Sequence, residues 1–256
     1  MRNGGIAVGL LCGASLAAGA SAQSLWDQAL ARGAKLPKRA GVSISLYTQS
    51  QNYAIDTLTL GVQTIDPAAA RNLKIENTTN AGHLQADYWV LPFLDVYAIL
   101  GQVRGTTKVN LSQVNIGIPL QDLRLEYRGW VYGGGIVLVY GGEHVFTTLD
   151  FNYNNTSLDT STSSVWAWLA TPRIGYDFGP VAAYLGATYE HPQEKHTGIF
   201  DIQGFGPVPY NVTLGAENAW SYIAGLNAPL GPHFILTIEG GFGPRTAALA
   251  HLDYRF

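Results

Sequence analysis

The chemistry-bearing residues of this 256-residue chain are six histidines, eighteen acidic residues and a single cysteine. The densest grouping is Glu190-His191, with Glu194 and His196 just beyond. An acid beside an imidazole is the smallest set that can run general acid–base hydrolysis. The H-x4-H spacing with flanking acids also offers nitrogen and oxygen donors to a metal. Carried on a loop, such donors are poorly pre-organised, so a solvated loop is the favoured reading and no metal or cofactor is expected. His144 and His233 fall in turns, and His251 has no serine nucleophile beside it in sequence. Phosphate-loop, H-E-x-x-H and G-x-S-x-G motifs are absent. Cys12 lies in an apolar N-terminal segment, which leaves the rest of the chain without thiol chemistry.

Composition bounds what can position these groups. Hydrophobic residues make up 47% and charged residues 13%, where a soluble domain carries roughly a quarter charged. The hydrophobic content excludes a disordered chain. A net charge of −3 without a basic cluster argues against nucleic-acid partners. Mean hydropathy is only +0.07, and past the N-terminus no apolar run approaches the roughly 18 residues of a spanning helix.

The hydrophobic residues alternate instead. Residues 41–49, 81–91, 96–105, 127–140, 145–153, 165–178, 181–190, 219–228, 234–242 and 245–256 each read as a period-two strand. The connections after the second, fourth, sixth and eighth segments are short and carry Pro or Gly. Those after the first, third, fifth and seventh are long, the largest being 50–80, 106–126 and 191–218. Parity places Asp87, Arg104, Asp150, Arg173, Asp177, Glu190, Glu239, Asp253 and Arg255 on the inner face, where opposite charges must pair. Glu239 with Arg173 and Arg255 is the leading internal cluster. Aromatics fall into two bands: Tyr97, Tyr140, Tyr176, Phe234, Tyr254 and Phe256 near the short turns; Trp130, Tyr153, Trp166, Trp168, Trp220 and Tyr222 near the long loops.

The two ends carry a resemblance. Residues 1–22 read as a secretory signal, with Arg2, an apolar core and Ala20-Ser21-Ala22. At the other end, Leu252, Tyr254 and Phe256 alternate with His251, Asp253 and Arg255 up to a final Phe. This strand resembles the C-terminal assembly signal of bacterial outer-membrane β-barrel proteins. The resemblance implies an all-β, antiparallel up-and-down transmembrane barrel over 41–256, of about ten strands, with eight or twelve as alternatives. The twelve-stranded form makes 53–60 and 73–76 a separate hairpin. Residues 23–40 are then a periplasmic segment in which Ser24-Leu25-Trp26-Asp27 resembles a capping box opening a short helix.

The location so implied is the outer membrane, with periplasmic termini. The implied partners are outer-membrane lipid and lipopolysaccharide, the assembly machinery and an extracellular ligand at the long loops. The expected function is non-enzymatic, as a narrow pore or a structural or surface-binding barrel. The alternative is an outer-membrane hydrolase centred on Glu190 and His191 at the extracellular rim.

Overall fold

The computed structural model describes residues 22–31, 36–61, 63–65, 74–110, 123–159, 164–202 and 206–256. Among these residues one helix, α1 (Ala22–Ala31), precedes twelve strands. They are β1 (Ala40–Leu60), β2 (Gln63–Ile65), β3 (Lys74–Leu91), β4 (Leu94–Asn110), β5 (Leu123–Gly141) and β6 (Val145–Leu158), followed by β7 (Ser164–Asp177), β8 (Ala182–Ile202), β9 (Gly206–Ala216), β10 (Trp220–Leu230), β11 (Phe234–Phe242) and β12 (Arg245–Arg255). Helix α1 begins two residues before Ser24, so Ser24 lies within the helix and is not its cap.

Ten of the strands close a ring of antiparallel neighbours, β1-β3-β4-β5-β6-β7-β8-β10-β11-β12. β12 returns to β1 in continuous register from Gly41↔Arg255 to Gln51↔Arg245. β9 and β10 descend in succession beside β8, and β9 also pairs with the far half of β1, from Tyr53↔Ala216 to Leu60↔Tyr210. The β11–β12 hairpin is therefore a wedge. It separates β10 from β1 on the turn side and stops at Gly243-Pro244, beyond which β9 meets β1 directly. Gly243, at φ 95°, supplies the left-handed conformation that this tip needs.

Strand lengths depart from expectation on the loop side. The stretches 50–60, 74–80, 106–110, 123–126 and 191–202 are strand, and 206–216 is an additional strand. Residues 53–60 and 74–76 extend β1 and β3, so they do not form the separate hairpin of the twelve-stranded alternative. A strand needs about nine to eleven residues to cross a bilayer. The 21 residues of β1 and of β8 thus leave about ten beyond it, on the order of 30 Å of projecting strand.

Outward positions form the wall. Leu46, Leu84, Leu100, Ile136, Ile174, Leu185, Leu226 and Ile238 are all exposed aliphatics. In a water-soluble protein such a surface would be costly, at about 25 cal/mol per Å² of apolar area. Aromatic rings border this belt. Tyr140, Tyr176, Phe178, Phe234 and Phe256 are exposed towards the turns, and Trp130, Tyr153, Trp168, Trp220, Tyr222 and Phe242 towards the loops.

Inward positions are packed by a recurring device. An aromatic ring lies flat across the glycine directly opposite it on the neighbouring strand: Tyr97 on Gly135, Tyr127 on Gly105, Tyr184 on Gly225, Phe146 on Gly175 and Tyr210 on Gly198. A Cβ at any of these glycines would collide with the ring. In a narrow barrel a large side chain has no room to stand upright, and glycine provides the floor it lies on. Tyr97 is consequently an interior residue and not part of the turn-side band, contrary to its expected place.

Candidate functional site

Among the described residues polar side chains converge in the interior, and strand parity puts them there. Towards the turn rim, Arg255 of β12 pairs with Asp87 of β3 at 2.5 Å and with Asp253 at 2.6 Å. Nearby, Ser45 and His251 share a hydrogen bond of 2.7 Å. Further in, Arg173 of β7 lies 3.3 Å from Glu239 of β11 and 3.7 Å from Asp150 of β6. Tyr97 donates to Asp150 over 2.7 Å and Tyr184 to Glu239 over 2.8 Å. Asp150 and Glu239 thus share one cation and have a phenol each, which is what a charge away from water requires.

Arg245, at the tip of the wedge, forms an ion pair with Glu190 of β8, and its Nη2 donates to Ser221 Oγ over 2.6 Å. Towards the loops buried Glu194 stands with His196 at 3.3 Å, among groups that are otherwise mostly uncharged. The Asn77 amide donates to Thr107 over 2.9 Å and to Tyr127 over 3.0 Å, and Asn77 is fully buried. Beside it Tyr53, Ile75 and Leu214 form an apolar cluster, with Ile55, Val109 and Val212 against it. At the opposite mouth α1 buries Trp26 and Ala29. The Trp26 indole donates to the Val90 carbonyl over 3.4 Å, and the Arg39 guanidinium sits 4.5 Å above the indole ring.

The structure brings together most of the charged set read from the sequence and separates some of it. Asp87, Asp253 and Arg255 form one cluster; Asp150, Arg173 and Glu239 form another. Arg255 belongs to the first and does not join Glu239. Asp177 points inward but serves its turn, accepting from the Gly179 amide over 2.7 Å. Arg104 is a correction: it is exposed and lies on the outer face. Its strand carries Tyr97, Ile99 and Val103 inward and Ala98, Leu100 and Gln102 outward. Apolar residues on both faces of β4 removed the contrast that parity needs. Arg245 was missed as an interior residue because Gly-Phe-Gly-Pro before it reads as a rim turn. Its position at the head of the inward series 245, 247, 249, 251, 253 and 255 was the signal available.

The Glu190–His191 pair does not survive the fold. Both are on β8, where neighbours in sequence face opposite sides. Glu190 is buried against Arg245, while His191 is outside, against the rings of Trp166 and Trp168. The same parity divides His191 from His196, which lies inside 3.3 Å from Glu194. An interval of five residues on a strand cannot present two ligands to one ion. Among the described residues there is no cluster of three or more His, Cys, Asp or Glu able to hold a metal.

At the C-terminus Tyr254 contacts the rings of Phe234, His233 and Phe256 at centroid distances of 5.0, 5.4 and 5.2 Å. The Phe256 amide bonds to the Ala40 carbonyl over 3.0 Å, so the last residue helps to seal β12 to β1.

No family model matches the chain, and no curated protein matches it. Solved structures similar to it include the outer membrane protein OprG from Pseudomonas aeruginosa, at 10% identity and TM-score 0.47, over 86% of this chain and 98% of that one. The outer membrane protease OmpT from Escherichia coli aligns at 10% identity and TM-score 0.49, over 86% and 97%. Ail, the attachment invasion locus protein of Yersinia pestis, aligns at 16% identity and TM-score 0.30, over 85% and 99%. The ring of registers and the two-sided wall establish the architecture from the chain itself. The chain is an up-and-down antiparallel β-barrel, the fold class of bacterial outer-membrane proteins.

Proposed function

We propose that this barrel spans the outer membrane as a closed, non-enzymatic structural or surface-binding protein that acts through its loop-side rim. Termini and short turns face the periplasm, residues 1–22 serve as the secretory signal, and 23–40 form the periplasmic segment that leads into the barrel. The aliphatic belt between two aromatic bands supports the membrane placement, because the Tyr and Trp rings prefer the interface and the aliphatics prefer the hydrocarbon.

The observation that carries the closed reading is the state of the interior groups. Ser45, Asn77, Thr107, Glu194 and Ile75 are each no more than 2% exposed. A conducting lumen would leave such side chains wet. The projecting parts of β1, β3, β4, β5, β8 and β9 then offer the surface on which an extracellular ligand would be met. Conductance of the purified full-length protein in a planar lipid bilayer tests this: no channel steps are expected, and a stable open conductance overturns the closed reading.

A further inference from the structure

On the outer face just beyond the loop-side aromatic band, two arginines stand directly opposite each other. Arg104 of β4 and Arg128 of β5 are register partners, and both are exposed. The outward row one step towards the membrane is Gly82, Gln102, Trp130 and Ser157; the row of the arginines is Asn80, Arg104 and Arg128. The arginines therefore sit about 7 Å above Trp130, two residues along the strand. That is the depth at which headgroup phosphates would lie if Trp130 marks the edge of the hydrocarbon.

Like charges directly opposite across a ladder are destabilising, and local carboxylates do not relieve this pair. Glu76 is engaged by Lys74 at 2.8 Å and Glu126 by Arg124 at 2.9 Å. Asp159, whose amide bonds to the Arg128 carbonyl over 3.0 Å, makes no ion pair with either arginine among the described residues. Lys108 and Arg124 form a second opposed cationic pair two rows higher.

We propose that Arg104 and Arg128 form a seat for the phosphate of a phosphorylated lipid of the leaflet at the loop rim, with Trp130 and Gln102 beneath it. Two planar guanidinium groups carried by directly opposed residues can reach the oxygens of one phosphate bidentately, as ammonium groups would not. The anion between them turns a repulsive pair into a bridged one. The belt below supplies the surface for the acyl chains. This site rests on the membrane placement proposed above.

The test uses full-length protein in zwitterionic detergent micelles, titrated with diphosphoryl lipid A and followed by native mass spectrometry. Arg104→Gln/Arg128→Gln, checked for heat-modifiable migration, is expected to lose affinity on the order of tenfold. Lys195→Gln, on β8, is expected to bind like the parent. Chemically dephosphorylated lipid A is expected to bind parent and double variant equally. Equal binding of the phosphorylated lipid by parent and double variant overturns the site, as does its complete displacement from the parent by inorganic phosphate alone, which would mark a soluble-anion site. Flotation of the parent with phosphatidylcholine vesicles separates the two levels. A parent that does not float overturns the membrane placement, whereas a floating double variant with undiminished lipid binding overturns only the site.

Discussion

Arg245, the first residue of β12, reaches across the interior to Glu190 of β8 at the point where the ten-stranded ring narrows. Its partner on β1 is Gln51, and two residues further along Tyr53 already pairs with β9. The ion pair therefore pins the tip of the β11–β12 wedge to the strand on the far side of β10. Both side chains are less than 10% exposed, so neither can fall back on water.

Removing one partner should leave a buried charge uncompensated, at a cost of about 3–5 kcal/mol. Arg245→Ala and Glu190→Ala are each expected to unfold at clearly lower urea concentration in micelles. The double variant is expected to be less destabilised than the sum of the two. Strict additivity in this cycle would contradict the pairing.

His191 gives the complementary expectation. It lies outside on the aromatic band, so His191→Ala should shift stability by no more than about 0.5 kcal/mol and leave any hydrolytic activity of the preparation unchanged. Parallel losses in Glu190→Ala and His191→Ala would mean that the two share a site after all.

The aromatic-on-glycine packing predicts unequal tolerance among the glycines. Gly198→Val places a branched side chain under the Tyr210 ring, the group that supplies the three atoms nearest to a Cβ there, and should cost about 1–3 kcal/mol by overpacking. Combining it with Tyr210→Ala should recover part of the heat-modifiable fraction on an unboiled gel. The same substitution at Gly142, where a Cβ meets nothing within 4 Å, should be nearly silent.

Removal of Tyr254 and Phe256 strips the ring cluster from the end of β12 and the last bond to Ala40. Fractionated cells should then show the protein depleted from the outer membrane. Undiminished outer-membrane recovery would contradict an assembly role for Leu252, Tyr254 and Phe256.

These cases also show what can be read from residues alone. Strands such as β6 and β7 announced both faces, because Leu149, Phe151 and Tyr153 alternate with Thr148, Asp150 and Asn152, and Ile174 and Tyr176 with Arg173 and Asp177. The extensions of β1, β3, β4 and β8 were hidden because their outward residues, such as Asn52, Glu76, Lys108 and Lys195, are polar outside the belt. Alternation of polarity then fades although alternation of direction continues. The Glu190–His191 site was an artefact of the same fading, since a stretch taken as loop carries no parity. The pairing of Arg245 with Glu190 depends on β9 and β10 following one another beside β8, a long-range closure that no local pattern encodes.

The central claim is the assignment of faces, a lipid-directed wall around a filled interior. Its most direct test is oxygen accessibility of nitroxide labels placed one at a time from 97 to 104 on β4, in a Cys12→Ser background and in reconstituted vesicles. The account predicts period-two oscillation, with labels at 98 and 100 accessible to oxygen from lipid, 97, 99, 101 and 103 shielded, and 104 accessible to an aqueous nickel reagent. Oscillation of the opposite phase, with 99 and 103 in lipid and 104 shielded, would contradict it.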